Sequence, residues 1–270
     1  MITMNRIFAV FIFLVLATAP AFAAVSVTNG LVRNHTVQPG EPFEGIVTIR
    51  NSGSGTETVR LYQTDYRIEA GGKRFFESPG TSERSNAGWV SLTPLEVTVV
   101  PGETASVVYR GTVPVDAGLT GSFWSMIMVE PLAEAQPERE EGKEQISMGI
   151  RTVLRTAVQV ATHIGDSGSR DLTILNVSLA NEKGEVFLVL DVENTGERVL
   201  RPAVEAELYS GEGVPAGRVE SDVKRIYPGS SVRHRLNLSD VPVGRYRALV
   251  VLDNGDDHVF GARYDLEIQP

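Results

Sequence analysis

An all-β chain built as two tandem sandwiches is what this sequence predicts, and three observations carry the prediction. Short runs that alternate apolar and polar residues, or are rich in Val, recur between Gly, Pro, Asn and Asp. Long amphipathic periodicity of the helical kind is hard to find beyond the N-terminal apolar run. A weak internal repeat divides the remainder of the chain into two halves with the same order of turns and strands.

In chain order, the first element is "MITMNRIFAVFIFLVLATAPAFAAVSV", where Arg6 precedes an apolar run from Ile7 to Ala17, followed by Pro20 and the small-residue pattern Ala21-Phe22-Ala23. That is the pattern of a secretory signal peptide cut after Ala23, which sets residues 1–23 apart from the fold. The run is short for a membrane span of roughly 20 residues, and no later stretch is continuously apolar over that length. The expectation is an extracytoplasmic protein with no transmembrane anchor, periplasmic first, with secretion or the cell surface as alternatives.

Residues 24–164 then supply the candidate strands "FEGIVTIRN", "TVRLYQTDYRI", "WVSLTP", "EVTVV", "ASVVYRGTV", "SFWSMIMVE" and "TVLRTAVQVATHI". Residues 165–170, "GDSGSR", are the polar, Gly/Ser-rich punctuation expected between two folded units. Residues 171–270 supply "LTILNVSLA", "VFLVLDVEN", "AVEAELYS", "VRHRLNL", "YRALVVLDN" and "RYDLEI". Each half suits a domain of roughly 100 to 150 residues. One insertion, "EPLAEAQPEREEGKEQ", interrupts the first half; acidic, aromatic-free and proline-containing, it reads as a loop that could face a partner.

The repeat gives the sandwiches a topology. "VTIRNSG", ending at Gly53, is echoed by "LDVENTG", ending at Gly196, each a strand running into an Asn-Ser/Thr-Gly turn. Pro101-Gly102 precedes "ASVVYRGTVP" as Pro228-Gly229 precedes "VRHRLNLSDVP", and Gly121 and Gly244 each open a later strand. A duplicated immunoglobulin-like sandwich accounts for this order, because each Pro-Gly fixes a tight turn into a strand.

Composition narrows the function. A net charge of −9 opposes nucleic acid, whose binding relies on basic patches that release counterions. Cysteine is absent, so no disulfide staples the fold. The four histidines, His35, His163, His234 and His258, are scattered without zinc spacing, and "LDNGDDH" with Asp253, Asp256 and Asp257 reads as an Asn254-Gly255 hairpin turn before a calcium loop. No Gly-rich loop leads into a helix, so no metal or cofactor is expected. Trp89, Phe123 and Trp124 read as core anchors before a ligand platform.

One stretch suggests chemistry. Gly165-Asp166-Ser167-Gly168 matches the residues around a serine-protease nucleophile. A nucleophilic Ser167 needs a base, a carboxylate to orient that base, and oxyanion donors. Ser169 and Arg170 follow where a second Gly and a Pro would stand, and the nearest histidine, His163, lies on the same local segment. The expectation is a junction between domains and no enzyme.

In the first half, "WVSLTPLEVTVVPGETASVVYRGTVP", then "GSFWSMIMVEP", a loop and "ISMGIRTVLRTAVQVATHI" resemble the N-terminal domain of periplasmic pilus-assembly chaperones of the chaperone/usher type. The resemblance covers most of Ala24 to Ile164 and rests on spacing and turn residues. It implies donor-strand complementation, in which an alternating apolar edge strand is lent to an unfinished subunit sandwich. The matching strand presents Ile146, Met148 and Ile150 at period two. It also implies two cations that grip the subunit's C-terminal carboxylate: Arg33 is the nearest candidate for the first-strand arginine, and the lysine position falls near Ala157, with Arg151 and Arg155 beside it.

A second resemblance covers more of the chain. Two successive immunoglobulin-like domains, the second "LTILNVSLANEKGEVFLVLDVENTGERVLRPAVEAELYSGEG" followed by "LSDVPVGRYRALVVLD", are similar to WxL-interacting cell-surface proteins, which implies binding of peptidoglycan and of a partner protein at the surface. This chain departs from them by reaching Pro270 without a membrane anchor. The combined expectation is a non-catalytic factor that binds a protein subunit or surface protein by strand-edge pairing, with a wall-binding module as the alternative.

Overall fold

Alternation in the sequence becomes alternation of burial. Along Pro42–Asn51, the buried Phe43, Val47, Ile49 and Asn51 interleave with exposed or half-buried neighbours, as a strand with one face on a core requires. The computed structural model describes residues 24–116, 118–132 and 153–269, and these are nearly all β.

The first sandwich comprises β1 (Val25–Val27), β2 (Val32–Val37), β3 (Pro42–Asn51), β4 (Glu57–Ile68), β5 (Arg74–Glu77), β6 (Val90–Thr93), β7 (Glu96–Val99), β8 (Thr104–Thr112), β9 (Gly121–Pro131) and β10 (Thr156–Ile164). One sheet runs β1-β3-β8-β6; the other runs β2-β10-β9-β4-β5, with β7 also on β4. Val47, Val107 and Tyr109 of one sheet meet Ile127, Val158 and Val160 of the other, all fully buried.

The second sandwich comprises β11 (Leu172–Glu182), β12 (Glu185–Asn194), β13 (Ala203–Ser210), β14 (Pro215–Glu220), β15 (Ser231–Asn237), β16 (Gly244–Asp253) and β17 (Val259–Ile268). Its sheets run β11-β12-β15 and β14-β13-β16-β17. Leu188, Leu190 and Leu236 are buried on one side of the core, and Ala206, Leu208 and Val250 on the other.

The internal repeat is realised atom for atom. Asn51 donates from Nδ2 to Gly55 O and Val99 O and accepts the Gly53 N–H; Asn194 donates to Arg198 O and Ile226 O and accepts the Gly196 N–H. The Pro-Gly turns lock onto the same residues, with the Gly102 N–H donating to Asn51 O and the Gly229 N–H to Asn194 O. Each buried asparagine thus joins the end of one strand to the turn that begins another, satisfying backbone groups that burial would otherwise orphan.

Four elements depart from the sequence expectation. The strand expected over "TVLRTAVQVATHI" is regular only from Thr156, with Val153–Arg155 preceding it. β2 is absent from the expected strands: after β1 pairs antiparallel with β3, the chain crosses to the opposite sheet and runs parallel to β10. β5 and β14 are absent from them too, because "RFFE" and "PAGRVE" are short and lack clean alternation.

Candidate functional site: the open edge of β10 and the domain junction

β10 is paired unequally on its two sides. Along one side β9 follows it from Thr156 to Ile164. Along the other, β2 begins only at Gln159, whose N–H donates to Leu31 O at 2.8 Å. Alternation along a strand means that Ala157 turns its N–H and C=O to that same side, where no described strand receives them. Around this gap the surface is apolar: Leu31 and Val32 are 48% and 41% exposed at the start of β2, and Val153 and Leu154 are 40% and 61% exposed ahead of β10. Unpaired backbone groups beside exposed apolar side chains form a template for another strand.

Of the residues singled out from sequence, Ile146, Met148, Ile150 and Arg151 lie outside the described residues. Arg155 forms an ion pair with Glu130, Nε to Oε1 at 3.0 Å. The same pair acts on Tyr62: burial first, then the Glu130 carboxylate, push its phenol above the ordinary range. Arg33 stands opposite Val160 and donates to Val32 O and Ile46 O at 3.3 and 3.4 Å. Arg155 precedes Val160 by five residues, about 16 Å of strand. Arg155 pairs with Glu130 while Arg33 is held by Val32 O and Ile46 O, so each cation has its own partners.

The stretch around Ser167 is a tied turn. Ser167 Oγ donates to Ile164 O at 2.5 Å and accepts the Gly121 N–H at 3.1 Å, so both roles of the hydroxyl are taken by backbone and no imidazole is its partner. Arg198 donates to Gly165 O and Ser167 O at 3.0 and 3.1 Å. Glu197 reaches across from the second sandwich and accepts from the Ser169 N–H, the Thr120 hydroxyl and Arg84 at 3.2, 3.1 and 3.0 Å. These bonds, the Ser169 N–H foremost, hold its carboxyl below the usual range. Gly121 is required here, since a Cβ would lie 2.2 Å from Glu197 O and its φ is +78°. Punctuation read from composition is in fact a hydrogen-bonded joint.

The other candidates are also occupied. Phe123 lies in the first core with Trp89 against it, ring centroids 4.7 Å apart. Trp124 faces the other way and packs at a tilt against Tyr227 of the second sandwich, ring centroids 4.7 Å apart, with its Nε1–H donating to Tyr66 O. Strand alternation sends it to the face opposite Phe123, and nothing in the sequence said that this face meets a second sandwich. Asp253 and Asp256 accept the N–H groups of Gly255 and His258 in the hairpin that the sequence suggested. His35 bonds Tyr109 at 2.9 Å, and His234 bonds Ser221 Oγ at 2.7 Å. Among the described residues no group of three or more His, Asp or Glu is placed to hold a metal ion, and no helix is long and apolar enough to cross a membrane.

No protein-family model and no curated protein matches this chain. The solved structures that superpose on it are repeatedly periplasmic or fimbrial chaperones. The class 5 fimbriae chaperone CfaA shares 10% identity over 91% of this chain and 99% of its own, with a TM-score of 0.46. The Escherichia coli chaperone DraB shares 11% over 92% and 97%, with a TM-score of 0.40. A chain of the CsuC–CsuE chaperone–tip adhesion subunit complex of Acinetobacter baumannii shares 13% over 88% and 98%, with a TM-score of 0.43.

Proposed function

We propose that this protein is an extracytoplasmic, non-catalytic assembly factor that lends a strand edge to an incomplete β-sheet protein. The observation that carries the reading is the edge of β10 ahead of Gln159, where Ala157 turns its backbone groups toward a position that no described strand fills, within an apolar rim. A client strand entering there would pair with those groups, and main-chain hydrogen bonds would supply affinity whatever the client's sequence. Upstream, Ile146, Met148 and Ile150 alternate at the spacing that presents three apolar side chains to one face of a client. Covering such an edge until the client is complete also protects the client's own open edge.

The cations have separate parts in this reading. Arg33 and Arg155 have separate partners in the free protein, so a C-terminal carboxylate would be met by Arg33 or by Arg151 and Arg155. The client is a protein subunit of an extracytoplasmic fibre or surface structure, and the compartment is the periplasm.

Two variants test the reading. Met148→Asp places a charge among the lending side chains. Ala157→Pro removes one N–H on the open side while leaving the β9 ladder alone, a place where a strand tolerates proline. Copurification from the native envelope should lose its partners with either variant while circular dichroism is unchanged. An unaltered partner set with both variants means that β10 is not the lent strand.

A further inference from the structure

β17 ends its sheet with ten residues, from Val259 to Ile268, and pairs with β16 without a register shift from Gly244↔Ile268 to Asp253↔Val259. The other outer strands of the second sandwich carry devices against self-pairing. β11 is bulged between Ile174 and Asn176, β14 is short and opens on Pro215, and β15 presents Arg233 and Arg235 on one face. β17 has no bulge and no proline, and its charges, Arg263, Asp265 and Glu267, are of mixed sign where those of β15 are both positive.

Its backbone parity is fixed by the hairpin that precedes it. The Asn254 N–H donates to His258 O at 3.5 Å. Continuing that alternation turns the even-numbered residues of β17 toward β16, so Gly261, Arg263, Asp265 and Glu267 direct their N–H and C=O groups outward. Only registers that place odd residues opposite odd residues can complete a second ladder.

We infer that β17 is a homodimerisation edge, pairing antiparallel with β17 of a second copy about a two-fold axis through Tyr264. In that register Arg263 faces the partner's Asp265, and Asp265 faces the partner's Arg263. On the inner face, Ala262 meets the partner's Leu266, Phe260 meets the partner's Ile268, and Tyr264 meets its own copy. Moving the axis one residue either way sets Arg263 against Arg263 or Asp265 against Asp265, like charges directly opposed. Charge and apolar pattern therefore select one register, and a two-fold axis makes it self-complementary.

Both charges are available for this contact. Among the described residues Arg263 forms no ion pair, and Asp265, 95% exposed at its side chain, has only Arg247 Nε at 3.9 Å. The edge lies on the second sandwich, so the dimer does not use β10.

Sedimentation velocity on the purified chain, from about ten to a few hundred micromolar, reads the association directly. A reversible dimer is expected, weakened by about tenfold or more in Asp265→Arg, which turns two attractive pairs into two repulsive ones. Arg263→Asp combined with Asp265→Arg restores it, because swapping the charges rebuilds both pairs only in this register. With no other cysteine in the chain, Tyr264→Cys should give an oxidised, covalent dimer across the axis. A chain that stays monomeric throughout, a dimer indifferent to Asp265→Arg, or a charge swap that melts normally without restoring association overturns the inference.

Discussion

Acid should loosen the domain junction through His163. Val199 donates its N–H to Ser122 Oγ at 3.1 Å, so the Ser122 hydroxyl proton is free to point at His163 Nδ1, 2.8 Å away. That makes Nδ1 an acceptor and leaves the proton on Nε2, facing Asn34 Oδ1 at 3.3 Å. Protonating the ring puts a hydrogen where the junction needs a lone pair. Burial first, then Arg198, Arg225 and His35, pull its pKa down from 6.5 to about 4. Between those values the unfolded chain binds the proton and the folded chain does not, so stability is complete above pH 6.5 and falls as pH drops toward 4. At about 1.4 kcal/mol per pH unit, trimmed for the ring's partial contact with water, the loss is about 2 to 3 kcal/mol. Urea unfolding at pH 7.5 and 4.5 measures it: His163→Gln should lose less stability over that interval than the parent by this amount. His234, also held near 4 by burial and Lys224, titrates in both proteins and cancels in the comparison. A His163 resonance that titrates near 6.5 by NMR, or equal losses in parent and variant, would refute the reasoning.

Asn51→Ala and Asn194→Ala should each cost about 3 kcal/mol in denaturant unfolding, because each leaves buried backbone groups without partners; costs differing by more than about 1 kcal/mol would show the two turns not to be equivalent. Gly121→Ala should destabilise by more than about 3 kcal/mol in the same assay, since neither the left-handed backbone nor the 2.2 Å approach to Glu197 O admits a methyl group. Tyr109→Phe should cost about 1 kcal/mol by stranding the His35 ring nitrogen, and an unchanged melting curve would mean that water replaces the hydroxyl. Trp124→Ala should lower stability by about 3 to 5 kcal/mol and free the domains in small-angle scattering, whereas 1 M salt leaves the parent docked.

How much of the structure is legible in the sequence depends on how local each signal is. The Asn51 and Asn194 turns are legible because asparagine, the following Gly and the later Pro-Gly all take part in one hydrogen-bond set, and all are unusual residues in fixed order. β2 is illegible because "VRNHTV" has polar residues at both parities; its place is decided by the partner β10, more than a hundred residues away in sequence. The protease-like look of Ser167 has the same origin. Gly, Asp and Ser are chosen by any tight polar turn, and only the distant Gly121 and Arg198 show that this one is pinned. The alternation of Ile146, Met148 and Ile150 is legible as a sequence pattern, whereas how much of β10 is covered depends on where β2 begins, and no local pattern marks Leu31 as that point.

Magnitudes decide what holds the two sandwiches together. The ion pairs at the junction are numerous, but their carboxylates are wet: Glu197 is 41% exposed opposite Arg84, and Asp166 is 85% exposed between Arg170 and Arg198. Such pairs contribute about 0 to 1 kcal/mol each, and salt screens them. Trp124, 4% exposed, closes a dry cluster with Ala161, Tyr227 and Val199, and Ile68 of the first sandwich packs into the second core. Burying an indole and an isoleucine outweighs several exposed charges at about 25 cal/mol per Å². The apolar contacts therefore supply most of the strength of docking. Because β9 carries Trp124 and β10 carries Ala161, the two paired strands are both tied to the second sandwich by that same cluster, four residues along β10 from Ala157.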